Sequence, residues 1–130
     1  MKLLLIHADS FEYWATRKTK IAEALEGPIA ENRCVENATV VFTAVEPGDS
    51  GKIEQAVAEI RKVMGMQHSA ECLLYPYAHL SENLSSPREA VEVLNKMAGN
   101  LGCNRAPFGW YKKFHLHAKG HPMAEFSRRL

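Results

Sequence analysis

The sequence predicts an α/β fold: a mixed β-sheet with at least two helices packed on it. Three observations carry that prediction. An unbroken apolar run, Leu3-Leu4-Leu5-Ile6, opens the chain as a strand covered on both faces would. Two stretches with helical spacing, near 53–64 and 86–98, alternate with apolar, strand-like runs near 39–45 and 73–75. Two further strand-like segments, near 111–118 and 123–129, follow a tight turn each.

Residues 2–8 form the first strand. Residues 9–36 are polar and mixed, broken at Gly27-Pro28, and read as a loop with room for a short hairpin. Thr39-Val40-Val41-Phe42-Thr43-Ala44-Val45 is a β-branched strand closed by Pro47-Gly48-Asp49. Ile53, Ala56, Val57, Ile60, Val63 and Met64 then recur on one helical stripe, with Glu54, Glu59, Arg61 and Lys62 off it. Leu73-Leu74-Tyr75 is a short strand before Pro76. Ser86-Pro87-Arg88-Glu89 reads as a helix start, with Ser86 as N-cap, Pro87 in the first turn and Glu89 completing a capping box. Ala90, Val91, Leu94, Met97 and Ala98 form its apolar face, and Gly99 and Gly102 end it. The β-α-β-α run predicts parallel pairing with right-handed crossovers. The last two strands, joined through Gly120-His121-Pro122, are expected to pair antiparallel with each other.

The chain has 130 residues, 46% of them hydrophobic, which is one domain with one real core. No run approaches the roughly 18 apolar residues of a membrane span. The opening apolar run is too short for a secretory core, because His7, Asp9, Glu12 and Arg17 follow it, so a cytoplasmic location is expected with no membrane partner. Cys34, Cys72 and Cys103 are odd in number and scattered, so reduced thiols are expected, with Cys72 in the core. Through residue 100, ten Lys/Arg face fourteen Asp/Glu, a balance of −4. Beyond it Arg105, Lys112, Lys113, Lys119, Arg128 and Arg129 face only Glu125, a balance of +5. That asymmetry is either the footprint of a polyanion or a solvated basic face.

The candidate chemistry lies in three segments: Tyr75-Pro76-Tyr77-Ala78-His79, Ala106-Pro107-Phe108-Gly109-Trp110-Tyr111-Lys112, and Gly120-His121-Pro122-Met123-Ala124-Glu125. They supply aromatic walls, a cation, an imidazole and an acid, an inventory suited to a small polar pocket for a charged or carbonyl-bearing ligand. His79 follows a strand at the carboxyl end of a parallel pair, where ligands bind in such sheets, and is either a pocket imidazole or a loop histidine. Strand alternation puts Lys112 with Phe114, Leu116 and Ala118 on an otherwise apolar face. Lys112 there either snorkels to water or is held for binding or catalysis. Tyr111 falls on the opposite face, so the two share a pocket only if the strand begins irregularly after Gly109-Trp110. Glu125 is a counter-ion for Lys112, an acceptor for substrate, or a surface glutamate. His115 and His117 point the same way, as metal ligands do, but no second paired motif completes a site. No P-loop, G-x-G-x-x-G, G-x-S-x-G or paired-carboxylate signature is present, so nucleotide hydrolysis and serine-type acyl transfer have no motif support, and no cofactor is expected.

Five blocks, in order and spanning nearly the whole chain, resemble the amino-terminal editing domain of archaeal threonyl-tRNA synthetase. They are Leu4-Leu5-Ile6-His7-Ala8-Asp9, Val41-Phe42-Thr43-Ala44-Val45-Glu46, Tyr75 to Ser81, Ala106 to Lys112, and Gly120 to Arg128. Trp110 departs from the tyrosine usual there but keeps an aromatic. The resemblance implies a D-aminoacyl-tRNA deacylase-like fold, usually a homodimer. It implies hydrolysis of L-seryl-tRNA(Thr) by a tRNA-assisted water, as part of a longer threonine–tRNA ligase from which residues 1–130 would be one editing domain. It also implies roles. Val45, Pro76, Ala78 and Phe108 would line the substrate pocket; Lys112 and Tyr111 would orient substrate and water. Glu125 would hold the seryl amine or hydroxyl, and His79 would contact the terminal nucleotide or organise water. The alternatives are a stand-alone D-aminoacyl-tRNA deacylase and a non-catalytic tRNA-binding or dimerisation module.

Overall fold

A computed structural model of the chain describes residues 1–25, 29 and 31–130. In chain order the elements are β1 (Lys2–Lys18), β2 (Asn32–Ala44), α1 (Ile53–Gln67), β3 (Glu71–Pro76), α2 (Pro87–Leu101), β4 (Asn104–Arg105), β5 (Trp110–Ala118) and β6 (Glu125–Arg129), with single 3-10 turns at Asp49–Gly51 and Ala78–Leu80. The strands make one mixed sheet in the order β4-β3-β2-β1-β5, and β6 also pairs with β1. The predicted parallel step of β2 with β3 is present; after α2 the chain makes a second parallel step through the two-residue β4, which the sequence did not announce.

Two expectations are corrected. The stretch 9–36 is not mainly a loop: its two ends extend β1 and β2 into a long antiparallel hairpin, with Phe11 opposite Val35 and Trp14 opposite Asn32. Phe11 and Tyr13 are buried while Glu12 and Trp14 are partly exposed. A period of two was therefore present, obscured by the charges between the apolar residues. The expected break at Gly27-Pro28 lies outside the described residues. The second correction concerns β5 and β6, which pair not with each other but both with β1. β1 has 17 residues, enough for two partners end to end on one edge. β5 takes its far half, from Ala8 to Lys18, and β6 its near half, from Lys2 to Ile6.

His7 marks the joint between them. Its main-chain N–H donates to Ala124 O at 2.7 Å, and its carbonyl accepts from Lys119 N at 2.9 Å. Its side chain holds the Gly120–Pro122 turn. Met123 N–H donates to His121 Nδ1 (3.1 Å), which leaves the His121 proton on Nε2 to be given to His7 Nδ1 (2.8 Å). His7 Nε2–H then donates to Asn37 Oδ1 (2.7 Å). These tautomers are assigned from the network.

The sheet is folded over. Phe114 pairs with Tyr13, and Phe42 with Leu4, nine residues away along β1. In a flat sheet the two phenylalanines would stand about 30 Å apart. Their ring centroids are 5.6 Å apart. The bend falls where the registers skip Asp9 in both pairings, opposite Asn37, which has φ 45°. Two apolar clusters result. Leu3, Leu5, Val41 and Leu74 face the helices, meeting Ile60, Val63, Val93, Leu94 and Met97. Ile6, Phe11, Tyr13, Val40, Phe42, Leu73 and Tyr75 fill the concave side. Neighbours in β1, β2 and β3 thus go to opposite clusters, which is why these strands read as continuous apolar runs.

α2 starts where expected. Ser86 Oγ accepts from Glu89 N (3.2 Å), and Pro87 is the first helical residue. The capping box is only half made, because the Glu89 carboxylate accepts instead from Gly48 N (2.9 Å), tying the end of the β2 loop to the helix. Gly102, at φ 65°, ends α2, while Gly99 lies within it. All three cysteines are free thiols, and Cys72 is buried as expected. Among the described residues no helix is long and apolar enough to cross a membrane.

Candidate active site

A cavity of about 340 Å³ opens where the carboxyl ends of parallel strands β2 and β3 meet the start of α2 and the β4–β5 connection. Val45, Pro76, Ala78, His79, Phe108, Tyr111 and Lys112 all line it. Of the candidate residues only Glu125 stands apart. It is exposed at the head of β6, opposite Ile6, outside the cavity wall.

Lys112 enters from β5. Its Nζ donates to Pro107 O (2.8 Å) and Trp110 O (3.1 Å), two of its three donors, and sits 5.2 Å from the centroid of the Tyr75 ring. Burial pushes its pKa down to about 8; the nearby Glu23 carboxylate opposes that shift and the Arg105 guanidinium adds to it. The ammonium is therefore the main form at neutral pH but close to its titration range. Tyr75, beneath it, has its hydroxyl pKa pushed well up by burial. Tyr111 also borders the cavity although it follows Trp110 in a continuous strand; the β1–β5 register slips between Ala15 and Arg17, and the extra residue is on β1. His79 lies on the Ala78–Leu80 turn, its ring edge-on to Tyr77 at 5.3 Å.

The remaining wall is a strap, residues 19–23, which the sequence did not reveal. Thr19 Oγ1 donates to Gly109 O (2.5 Å), Glu23 N donates to Phe108 O (3.2 Å), and Trp110 Nε1 donates to Glu23 O (2.9 Å). The Glu23 carboxylate takes both terminal nitrogens of buried Arg105, at 2.6 and 2.7 Å, and also Phe108 N. Arg105 Nε donates to Asn95 Oδ1 on α2 at 2.9 Å. A buried arginine demands such a partner. Its partner is 82 positions earlier, and no local pattern points there. Gly109, at φ 79°, lies under the strap, and a Cβ on it would stand 2.5 Å from Ile21 O.

The threonine and serine hydroxyls on the wall are already committed. Thr19 donates to Gly109 O, Thr43 to Val41 O and Ser85 to Ser86 O, all main-chain carbonyls. None is poised beside a base as a nucleophile. What the cavity offers is an apolar floor, one ammonium, phenols and an imidazole: groups that bind and orient, not groups that attack.

A sheet folded over in this way, with its cavity at the strand ends, is a D-aminoacyl-tRNA deacylase-like fold. The solved structure of the c-Myc DNA unwinding element binding protein superposes with a TM-score of 0.74 over 100% of this chain and 99% of that one, at 13% identity, a likeness of fold alone. The family model described as the archaea-specific editing domain of threonyl-tRNA synthetase matches residues 1–130, and the chain belongs to that family. It is thereby an aminoacyl-tRNA deacylase by class. Similar proteins include threonine–tRNA ligases of Methanopyrus kandleri (50% identical over 139 residues), Methanoregula boonei (46% over 139) and Thermofilum pendens (42% over 139). Each match covers 100% of this chain and 22% of the relative, so the chain spans about a fifth of their length.

Proposed function

We propose that the domain hydrolyses the ester of L-seryl-tRNA(Thr), proofreading for a threonyl-tRNA synthetase in the cytoplasm. The observation that carries this reading is the cavity itself: a small apolar floor of Val45, Pro76, Ala78 and Phe108 beside the Lys112 ammonium, on a chain of the editing family. Serine lacks one methyl of threonine, and a missing methyl is worth only about 1–3 kcal/mol in a binding site. A second sieve must admit serine, refuse the methyl and cut what enters.

With the threonine and serine hydroxyls of the wall committed, water attacks the ester carbonyl directly. The acyl carbon–oxygen bond to the ribose breaks, serine leaves as the free acid, and the 3′-hydroxyl of the terminal adenosine takes the proton. The neighbouring 2′-hydroxyl places the water. Lys112 and Tyr111 orient the ester, and His79, exposed at the rim, meets the terminal nucleotide. Glu125 acts across a homodimer, its carboxylate belonging to the partner's cavity. The exposed side chains of Phe114 and Met123 supply apolar surface for that pairing.

A single-turnover deacylation panel tests the reading. Serine-charged tRNA(Thr) should be hydrolysed, threonine-charged tRNA(Thr) spared, and a terminal 2′-deoxyadenosine version bound but not cut. Turnover confined to D-aminoacyl-tRNA would make it a D-aminoacyl-tRNA deacylase, which the fold also suits. Binding without any turnover would make it a docking module.

A further inference from the structure

The strand pair β1–β5 carries a feature that the cavity chemistry leaves unused. Three described cross-strand contacts, two of them involving a residue of the cavity wall, set a cation over an aromatic ring. Arg17 lies over Tyr111 (5.3 Å to the centroid), Lys18 over Trp110 (5.5 Å) and Lys113 over Trp14 (5.5 Å). Each rung of this ladder is also a register pair of the two strands. Lys18–Trp110 closes the strand end on the face of Lys112, while Arg17–Tyr111 and Trp14–Lys113, with Ala15–Lys112 between them, follow on the other face, so a single strand would pass round the end of the pair. Arg17, Lys18 and Lys113 are exposed, as is Lys20 just beyond. Among the described residues no carboxylate lies within ion-pair distance of any of the four, whereas Arg105, Lys119 and Arg128 each have one. Tyr111 and Trp110 are at once rungs of the ladder and walls of the cavity.

Unpaired cations interleaved with aromatic rings are what a single-stranded nucleic acid requires: positive charge for the phosphates and flat rings for the bases, with no demand on sequence. The place matters as much as the composition, since a strand whose last nucleotide enters the cavity must leave it across Trp110 and Tyr111.

We propose that this ladder docks the single-stranded 3′ end of tRNA immediately upstream of its aminoacylated nucleotide. Arg17, Lys18 and Lys113 take the phosphates, while Trp14 and Tyr111 stack on bases. This rests on the functional reading above, which supplies the nucleotide in the cavity.

The test uses the domain, a fluorescein-labelled single-stranded RNA of sequence ACCA, and 3′-seryl-adenosine, an ester without upstream nucleotides. The charge-removing variant Arg17→Ala/Lys18→Ala/Lys113→Ala should bind the RNA at least tenfold more weakly. Each single-strand phosphate contact contributes about 0.7 to the slope of log affinity against log salt, so that slope should fall by about two. Hydrolysis of seryl-adenosine should stay within twofold of the wild type, which shows the variant folded. Trp14→Phe should keep RNA binding and Trp14→Ala weaken it. Unchanged affinity and unchanged salt slope in the triple variant would overturn the proposal. A wild-type domain that binds RNA through the ladder yet never cuts seryl-adenosine or seryl-tRNA would sink the functional reading and leave the docking surface standing.

Discussion

Glu23 grips Arg105 with both carboxylate oxygens, at 2.6 and 2.7 Å, and with the same carboxylate holds the main-chain N–H of Phe108. One side chain thus fixes the strap, the guanidinium and the cavity wall. The pair is nearly dry, with 2% of the Arg105 side chain and 15% of the Glu23 side chain exposed. Removing one partner of such a pair strands the other charge, at a cost of about 3–5 kcal/mol. Glu23→Gln should therefore lower stability by about 3 kcal/mol in urea unfolding. A loss under about 1 kcal/mol would mean the pair contributes only as a surface bridge does.

The same carboxylate supports the charge on Lys112, whose pKa of about 8 is set first by burial. If the ammonium orients the ester, deacylation measured against uncatalysed hydrolysis should fall as pH rises through about 8. In Glu23→Gln the fall should begin at lower pH. Lys112→Met should cut single-turnover deacylation of seryl-tRNA(Thr) about a hundredfold. A variant that keeps the wild-type rate would dismiss the role given to this lysine.

Linkage gives Lys112 a second signature. Its pKa is depressed on folding from the ordinary lysine value of 10.5. Between about pH 8 and 10.5 the unfolded chain holds a proton that the folded chain has lost, so stability attributable to this group rises with pH across that window. Below pH 8 the penalty for burying the charge is present in full. The stability gained on replacing Lys112 by Met should accordingly be greatest below pH 8 and shrink toward pH 10.5, followed by denaturant midpoints at fixed salt.

Gly109→Ala meets two obstacles, a left-handed φ of 79° and a carbonyl oxygen 2.5 Å from the new Cβ. Both groups are backbone, so neither can step aside cheaply. The expected cost is about 1–3 kcal/mol, and it should appear first as faster amide exchange in residues 19–23, where the strap lifts.

The floor predicts a change of specificity. Val45 is buried just past the end of β2 and lines the cavity. Val45→Ala makes room for a methyl group, and hydrolysis of threonyl-tRNA(Thr) should rise about tenfold while seryl-tRNA(Thr) changes little. Equal rates before and after would remove Val45 from the sieve.

Much of this architecture was legible because the local signals were strong. The stripe from Ile53 to Met64 is α1, and Ser86-Pro87 opens α2. What was hidden depends on partners far away in sequence. Nothing near Glu23 announces Arg105, and nothing near Phe126 says that it pairs with Leu5 rather than with β5. Lys112 was recognisable as a cation on an apolar face, but that Tyr111 borders the same cavity was not, because alternation along β5 alone separates the two. Glu125 shows the converse: it was the lone acid of its stretch, and that isolation did not place it in the cavity of its own chain.

β1 sits between β2 on one side and β5 and β6 on the other. A ribosome delivers β1 first and β6 last, so one edge of the opening strand stays bare until almost the whole segment has emerged. Closure of contacts this distant is slow. During that wait the exposed edge invites pairing with a neighbouring nascent chain, and protection by a chaperone would matter most for this strand.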